Sequence, residues 1–427
     1  MRRYLDDMRE LALPLTGQQD LDPLLARVGD ARIVLLGEAS HGTHEYYTWR
    51  TAITQRLVAE LGFSFVAVEG DWPDCEQVDR AVTLAAGAPA DPRAALASYE
   101  RWPTWMWANE EVADLVTWLR DWNAGRDPHE RVGFHGLDVY SLWDSLRAIL
   151  RYLEEHEPGA VETALSAFRC LEPYGEDPQE YALATRWVPQ TCENAVIEIL
   201  CTLRDRTPGD GEDAFAARQN AEVAVGAERY YRAMVRGGPA SWNLRDTHMA
   251  DTLDRLLEHY GDGAKAVVWE HNTHVGDARH TDMARRGLVN VGQLARERHG
   301  EDDVVIVGFG SARGTVVAGD SWGAPHEVMP LPPARSGSLE ALLSGAGISS
   351  ALFVHPRDVQ PEWLTDRLDH RAVGVVYNPA YDHVRNYVPT VVGRRYDAFV
   401  FLDETRALRP LPARASGGEA ETFPTGL

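Results

Sequence analysis

The sequence predicts an α/β protein in which a mostly parallel sheet is flanked by helices. A largely helical insertion is expected to cap the edge of the sheet where the active site lies. Two observations lead to this class. Short apolar runs, typical of buried strands, recur along the 427 residues, and helical stretches separate most of them. One long segment, residues 141–260, has helical spacing and no good strand.

Eight apolar runs have the length of a buried strand. In chain order they are Ile33–Leu36, Phe65–Glu69, Val132–Leu137, Ala266–Glu270, Val304–Gly308, Ala351–His355, Ala372–Tyr377 and Ala398–Leu402. We expect the last strands to be antiparallel, because a long irregular stretch precedes 394–402. After the first strand, Ser40 is a plausible N-cap for a helix that includes Tyr46, Tyr47 and Trp49.

Four segments follow from this pattern. Leu146, Ile149, Leu150 and Leu153 show the helical periodicity of the insertion. Such an insertion either shapes a substrate cleft or only covers the sheet, and we favour the cleft. The expected segments are the N-terminal half of the α/β core (1–140), the helical insertion or cap (141–260), the C-terminal half of the core (261–409) and a flexible tail (410–427).

Charge and composition narrow the choice of partner. The formal net charge is -23, so nucleic acid and anionic membranes would be repelled. No run approaches the ~18 apolar residues that a membrane span needs. The four cysteines show no CxxC spacing, which favours free thiols in a reducing compartment. We therefore expect a cytoplasmic protein with a small-molecule partner; the sequence leaves its oligomeric state open.

Polar, titratable groups cluster where four of the predicted strands end. Because the carboxyl ends of parallel strands share one edge of a sheet, these distant clusters should face one cleft. This convergence is more informative than any single motif. The clusters are Gly37-Glu38-Ala39-Ser40-His41-Gly42, Val68-Glu69-Gly70-Asp71-Trp72, Phe134-His135-Gly136-Leu137-Asp138-Val139-Tyr140 and Trp269-Glu270-His271-Asn272-Thr273-His274-Val275-Gly276-Asp277.

His41 and Glu38 form the first candidate pair. An imidazole near neutral pH can accept a proton from water, and a carboxylate three positions away can orient it or take the proton itself. Each has a structural alternative: a satisfied histidine for His41, and helix capping for Glu38. The glycine-flanked loop favours catalysis.

Glu69 ends an otherwise apolar strand, where an unpaired carboxylate is costly. It should pair with a cation such as Arg50, or stay partly protonated for acid–base work. Asp71 is either a helix N-cap or a second carboxylate of the site. Arg50 is alternatively an ordinary surface cation.

His271 and His274 have a spacing that suits either one metal ion or a catalytic cleft, and we favour the cleft for at least one of them. His135 and Asp138 are a weaker candidate for the same kind of site. His44 is expected behind the reacting groups.

Aromatic side chains could line a cleft for a bulky apolar substrate, or pack in the core. The candidates are Trp72, Trp102, Trp105 and Trp107, with Tyr140 beside them. Glu270 would add a carboxylate that favours a cationic substrate, a metal or different chemistry. Other mechanisms lack their motifs: no GxSxG, no GxGxxG after the first strand and no Walker A lysine are present, so we expect no nucleotide cofactor.

These clusters, in this order and at these distances, resemble the erythromycin esterase family over about residues 10–405. The resemblance implies an α/β sheet with a helical insertion and a deep cleft. It implies hydrolysis of an ester or lactone, with His41 activating water without a covalent intermediate. Residues matching Glu38, Arg50 and Glu69 would assist, with either His271 or His274.

The sequence thus favours a small-molecule ester or lactone hydrolase that needs no cofactor and no metal. Two alternatives use the same cleft. One is a lyase, dehydratase or cyclase that acts on a natural-product intermediate. The other is a metal-dependent hydrolase, whose ligands would be His41, His44, Glu69, His271 and His274. A binding protein without turnover ranks last, because simple binding does not require so many titratable groups.

Overall fold

The structure is a computed structural model. It describes residues 2–97, 99–174, 178–186, 191–206 and 211–412. No helix within these ranges is long and apolar enough to cross a bilayer.

One mixed sheet organises the described chain. The strands are β1 (Leu13–Pro14), β2 (Ile33–Leu36), β3 (Phe65–Asp71), β4 (Gly133–Asp138), β5 (Ala266–Trp269), β6 (Val304–Gly319), β7 (His326–Leu331), β8 (Ser350–Val354), β9 (Arg367–Arg371), β10 (Tyr387–Val391) and β11 (Ala398–Thr405). The nine-stranded sheet has the order β1-β8-β11-β6-β2-β5-β3-β4, with β7 paired to β6. From β11 to β4 the pairs are parallel. β9 and β10 form a separate antiparallel pair.

Helices connect the strands and cover both faces of the sheet. They are α1 (Arg2–Leu11), α2 (Asp22–Val28), α3 (His44–Leu61), α4 (Trp72–Val82), α5 (Pro92–Leu96), α6 (Glu110–Asn123), α7 (Leu142–His156), α8 (Val161–Leu171), α9 (Pro178–Ala184), α10 (Glu193–Arg206), α11 (Glu212–Met234), α12 (Ala240–Tyr260), α13 (Asn272–Val275), α14 (Val291–His299), α15 (Leu339–Gly345), α16 (Glu362–Thr365), α17 (Asp382–Arg385) and α18 (Val392–Arg395).

Alternation along the strands divides the core between the two faces, as the two-residue period of a strand requires. Val34 and Leu36 pack with α2, α3, α4 and α6. Ile33 and Leu35 point the other way and pack with α1, α12, α14 and α15. All four side chains are fully buried. The α/β class and the mostly parallel sheet predicted from the sequence are confirmed.

The predicted strand Ala372–Tyr377 is wrong. Its backbone makes isolated bridges, with Val373 beside Ser40 and Val376 beside Gly319. Val373 and Tyr377 are buried against β6 and β7, and the residues between them line a cavity. A strand-length apolar pattern alone cannot distinguish this arrangement from a sheet strand.

The predicted direction of the last strands is partly wrong. β8 is antiparallel to β11, but β11 itself is parallel to β6. The irregular stretch before β11 contains the short helix α18, which directly precedes β11 in the chain.

Helices α7 to α12 lie between β4 and β5. Apart from α12, they pack largely on one another around their own apolar cluster, which includes Leu146, Ile149 and Tyr230. The expectation of free thiols is wrong for two of the four cysteines: Cys170 and Cys192 are joined by a disulfide within this segment. Cys75 and Cys201 are free. Spacing alone could not show that pairing, because it depends on how α8 meets the start of α10.

The expected flexible tail, 410–427, is described only as far as residue 412. There the chain is docked, since the Leu411 N–H donates to the Ala108 carbonyl at 2.9 Å and the Leu411 side chain is buried. Residues 413–427 lie outside the described part.

Candidate active site

The carboxyl ends of four adjacent strands bring the polar clusters together. β2, β5, β3 and β4 are neighbours in the sheet, and Trp269 of β5 lies opposite both Leu36 and Val68. The segments that follow these four strands therefore emerge side by side. A cavity of about 340 Å³ opens at this edge. Of the predicted residues, its lining includes His41, Glu69, Asp71, Trp107, Asp138, Tyr140, His271 and His274.

His41 is held by a chain of buried charged groups. Its Nδ1 lies 2.9 Å from Glu38 Oε1, and Glu38 Oε2 accepts a hydrogen bond from Arg50 Nη2 at 2.8 Å. Arg50 is fully buried between the rings of Tyr47 and Trp269, at 4.2 and 4.6 Å. Arg50 is therefore a buried partner of Glu38, which neutralises the carboxylate that faces the imidazole.

Two glycines let the His41 loop approach its neighbours. A Cβ on Gly37 would lie 2.1 Å from Asn272 Oδ1, and a Cβ on Gly42 would lie 1.9 Å from the Val317 carbonyl oxygen. The Gly42 carbonyl also accepts the Val317 N–H at 3.0 Å. A side chain at either position would displace the loop that carries His41.

Glu69 is an ionised carboxylate at the floor of the cavity. Its Oε1 accepts from Arg245 Nη2 at 2.8 Å, and its Oε2 accepts from the His271 backbone N–H at 2.9 Å. Burial opposes ionisation, but the charges of His274, Arg245 and His41 and the backbone bond together lower its pKa below the usual range. The expected pairing of Glu69 with Arg50 is wrong, because Arg50 is already engaged by Glu38.

His271 is the N-cap of α13 and presents a neutral ring to the cavity. Its Nδ1 accepts the Thr273 backbone N–H at 3.3 Å and lies 2.8 Å from Thr273 Oγ1. Burial and the neighbouring His41 lower the pKa of His271 well below its usual value. An Nδ1 that accepts places the ring proton on Nε2. Nε2 is buried, with no hydrogen-bond partner among the described residues.

His274 has a partner on each side of its ring. Its Nδ1 lies 2.9 Å from Asp246 Oδ1, while its Nε2 lies 3.4 Å from Glu69 Oε1 and 3.3 Å from Arg245 Nη1. The ring is stacked on Trp242, with centroids 4.6 Å apart. His274 is thus fixed beside Glu69 instead of facing the cavity with an unengaged nitrogen.

Helix α12 supplies three groups that the sequence analysis did not select: Trp242, Arg245 and Asp246. Arg245 also binds Asp138, through Nε at 2.9 Å and Nη2 at 2.6 Å, and lies over the Tyr140 ring. In the sequence, these residues could be recognised as polar side chains on the apolar face of an amphipathic helix. This signal is weak because the sequence does not show which sheet edge that face meets.

A second carboxylate pair lies on the wall formed by the start of α4. Asp71 is the N-cap residue, and its Oδ2 accepts from Arg101 Nε. Asp74, in the first turn, also lines the cavity. Tyr99 and Arg101 complete this wall, and the sequence analysis did not select Asp74 or Arg101.

Six predicted binding residues are placed behind the cavity wall, which corrects five expectations; the sixth residue, His44, was already expected behind the reacting groups. Trp105 and Trp72 are in the core, and His135 stacks on Trp72 while its Nε2 lies 2.8 Å from the Tyr260 hydroxyl. Trp102 packs on Trp322. Burial of the large apolar surface of an aromatic ring is favourable, and this places the rings behind the wall instead of in the cleft.

The other two are His44 and Glu270. His44 Nδ1 lies 2.6 Å from Glu111 Oε1, on the far side of the loop that carries His41. Glu270 is fully buried, and both its carboxyl oxygens lack a hydrogen-bond partner in the described chain. Burial, then Glu69 and Asp246, raise its pKa well above the usual range, so the group is a neutral acid.

Four of the five proposed metal ligands line the cavity, but His44 is bound to Glu111 instead. Across the described ranges, no group of three or more His, Cys, Asp or Glu side chains has an arrangement that could hold a metal ion.

The protein is an α/β protein with a mostly parallel sheet. The carboxyl edge of that sheet carries buried histidine–carboxylate pairs. The chain belongs to the erythromycin esterase family, whose model matches residues 58–405.

Known proteins resemble the chain over most of its length. Erythromycin esterase type II of Escherichia coli is 22% identical over 378 residues, covering 82% of this chain and 86% of the relative. A solved succinoglycan biosynthesis protein has a TM-score of 0.79 at 20% identity and covers 96% of this chain and 98% of its own. An erythromycin esterase variant in its open conformation has a TM-score of 0.67 at 16% identity, covering 94% and 96%. At these identities the structural matches show the fold alone.

Proposed function

We propose that this chain is a carboxylic ester hydrolase that acts on a small-molecule ester or lactone. The observation that carries the proposal is the buried chain Arg50–Glu38–His41, which ends at a cavity shared with Glu69 and His271. Membership of the erythromycin esterase family and the name of the Escherichia coli relative support an ester bond as the target, a macrolide-like lactone being one candidate.

Water is the nucleophile in this scheme. Because Glu38 engages Nδ1 of His41, proton transfer falls to Nε2. A water molecule between His41 and Glu69 gives one proton to Nε2 and donates its other hydrogen to the Glu69 carboxylate. The Glu69 carboxylate remains ionised because Arg245 and the His271 backbone bind it, so it orients the water instead of competing for the proton.

The negative charge that develops on the carbonyl oxygen needs a donor. His271 supplies one, because its neutral ring carries the proton on Nε2 and that atom has no partner in the described structure. His274 holds Glu69 in place, since Asp246 and Trp242 fix its ring. The choice between the two histidines, which the sequence left open, therefore falls on His271 as the donor to the oxyanion.

The walls of the cavity favour a compact organic substrate. Apolar and aromatic side chains form part of the cavity lining: Tyr99, Pro103, Met106, Trp107, Trp322, Val375, Val376 and Val388. Such a wall binds the apolar body of an ester while the polar floor meets its carbonyl.

A panel of esters and lactones, incubated in isotope-labelled water, tests the proposal. We expect the label in the product acid by mass spectrometry, and a rate about 10²–10⁴ lower for His41→Ala. His129→Ala, at an exposed histidine, is the matched control and should retain the parent's rate. Turnover that leaves the product without label would instead indicate an elimination or cyclisation, and an unchanged rate for His41→Ala would remove its assigned role.

A further inference from the structure

Asp74 is a carboxyl group of the cavity for which the scheme above has no role. It lies in the first turn of α4, three residues after Asp71, and lines the same cavity as His41, Glu69 and His271. Within the ranges that the structure describes, Asp74 forms no ion pair with an arginine, lysine or histidine, unlike Glu69, Asp71 and Asp138.

Asp71 lies on the same wall as Asp74, so two carboxyl groups are close to one cation, Arg101. Arg101 binds Asp71 Oδ2, and its ring contact is with Tyr140. Asp71 also lines the cavity, and its side chain is 5% exposed. Its Oδ1 is buried and has no hydrogen-bond partner in the described residues. An unpartnered, buried carboxyl oxygen beside Asp74 is therefore positioned to meet a polar group of a ligand.

Two adjacent carboxyl groups with one cation do not both ionise readily. Burial raises the pKa of Asp74 well above its usual range, and the charges of Asp71 and Asp144 raise it further, while Arg101 opposes them. Arg101 binds Asp71 directly, so Asp74 is the member of the pair that ionises less readily.

Ester hydrolysis needs a proton at its second stage. When the tetrahedral intermediate collapses, the carbon–oxygen bond to the alcohol breaks and its electron pair passes to the leaving oxygen. An alkoxide is a poor leaving group unless an acid protonates it. His41 and Glu69 bind the attacking water, so a separate acid from the same cavity lining suits the protonation of the leaving oxygen.

We propose that Asp74 is a catalytic acid that passes its carboxyl proton to the leaving alcohol oxygen as that bond breaks. The inference rests on the proposed function. The protons balance: His41 takes one from water, Asp74 gives one to the alcohol, and afterwards His41 releases its proton and Asp74 regains one from solvent.

Two esters of the same acid separate this role from binding or folding. An alkyl ester needs its leaving oxygen protonated, whereas p-nitrophenolate leaves without protonation. We expect Asp74→Asn to lower kcat/KM for the alkyl ester by about 10²-fold or more and to leave the p-nitrophenyl ester near the parent's rate. Asp74→Glu should restore part of the alkyl rate. Asp114→Asn, at an exposed aspartate on α6, is the matched control and should change neither rate.

Each outcome decides the matter. An equal loss on both esters, or no loss on either, would overturn the role of Asp74. If Asp74→Asn does not fold, Asp74→Ser is compared by the same ratio of the two rates. If the parent hydrolyses neither ester nor any other member of the panel, the proposed function itself fails, whereas a parent that depends on His41 but not on Asp74 sinks this inference alone.

Discussion

Arg245 Nη2 donates to Glu69 Oε1 at 2.8 Å across 176 residues of sequence. The same guanidinium binds Asp138 through two nitrogen atoms. A single cation from α12 therefore joins the ends of β3 and β4, and it compensates the charge of two buried carboxylates.

Replacing Arg245 with methionine should destabilise the fold. The substitution keeps much of the side-chain volume but leaves Glu69 and Asp138 uncompensated, and breaking a buried pair in this way costs about 3–5 kcal/mol. Chemical denaturation would measure the loss in free energy of unfolding. Arg169→Met, at an exposed ion pair with Glu162, should leave it nearly unchanged. Equal effects at the two sites would show that Arg245 contributes no more than a surface charge.

Glu38→Gln should lower the kcat of the folded enzyme. An amide is isosteric with the carboxylate, but it does not stabilise the imidazolium that forms when His41 takes a proton, and it lets the ring change tautomer. We expect a loss of about 10²-fold or more on any substrate that the parent turns over. Glu45→Gln, in the first turn of α3 and paired with Arg406, is the matched control. Full activity in Glu38→Gln would contradict the role assigned to that carboxylate.

The sequence was sufficient for the sheet because its strands obey simple rules. Fully apolar runs such as Ile33–Leu36 are buried on both faces, and the polar residues after them fall at one edge once the strands are parallel. The same rules failed for 372–377, where an apolar run lines a cavity. They also failed for β9, whose side chains are mostly polar, and for β10, which a proline interrupts. Strand register and cavity shape depend on packing between segments that are distant in sequence. A local sequence pattern carries no information about that packing.

The site was predictable where its residues are close in sequence. Glu38 with His41, and His271 with His274, follow strand ends directly. The structure places His41, His271 and His274 in the lining of one cavity, with Glu38 bound to His41. The contribution of α12 was not predictable, because Arg245 reaches Glu69 only through the way the insertion folds back over the sheet. Trp72, Trp102 and Trp105 were misplaced since the sequence cannot distinguish a ring in the core from a ring in a cleft wall.

Gly42→Ala should disturb both stability and activity. The added methyl group would lie 1.9 Å from the Val317 carbonyl oxygen, so the backbone of the His41 loop must shift. We expect a loss of about 1–3 kcal/mol, typical of overpacking, together with a lower kcat. Gly345→Ala, where nothing lies within 4 Å of the added atom, should be neutral or slightly stabilising. Thermal unfolding and steady-state kinetics would test both, and a Gly42→Ala variant as stable and active as its parent would refute the packing argument.

Stability should fall in mild acid partly through His248. Burial, then Arg255, lower the pKa of this imidazole from 6.5 to about 3 in the folded protein. Between those values the unfolded chain binds a proton that the folded chain does not. The contribution of His248 is therefore complete above pH 6.5 and is lost as the pH falls toward 3, by about 1.4 kcal/mol per pH unit.

Denaturation of the parent and of His248→Gln at a series of pH values would measure this contribution. The difference between their unfolding free energies should change with pH in that window and stay constant above it. His156→Gln, at an exposed histidine, should follow the parent throughout. A constant difference at every pH would contradict the assignment to His248.

The central claim is that His41 removes a proton from the water that attacks the ester. The most direct test is the single-turnover rate constant for one ester, with the parent and His41→Ala compared at the same pH and with enzyme in excess over substrate. We predict that the variant is slower by about 10²–10⁴ while it still binds the substrate and unfolds at the parent's denaturant concentration. A ratio of rate constants close to one would contradict the account.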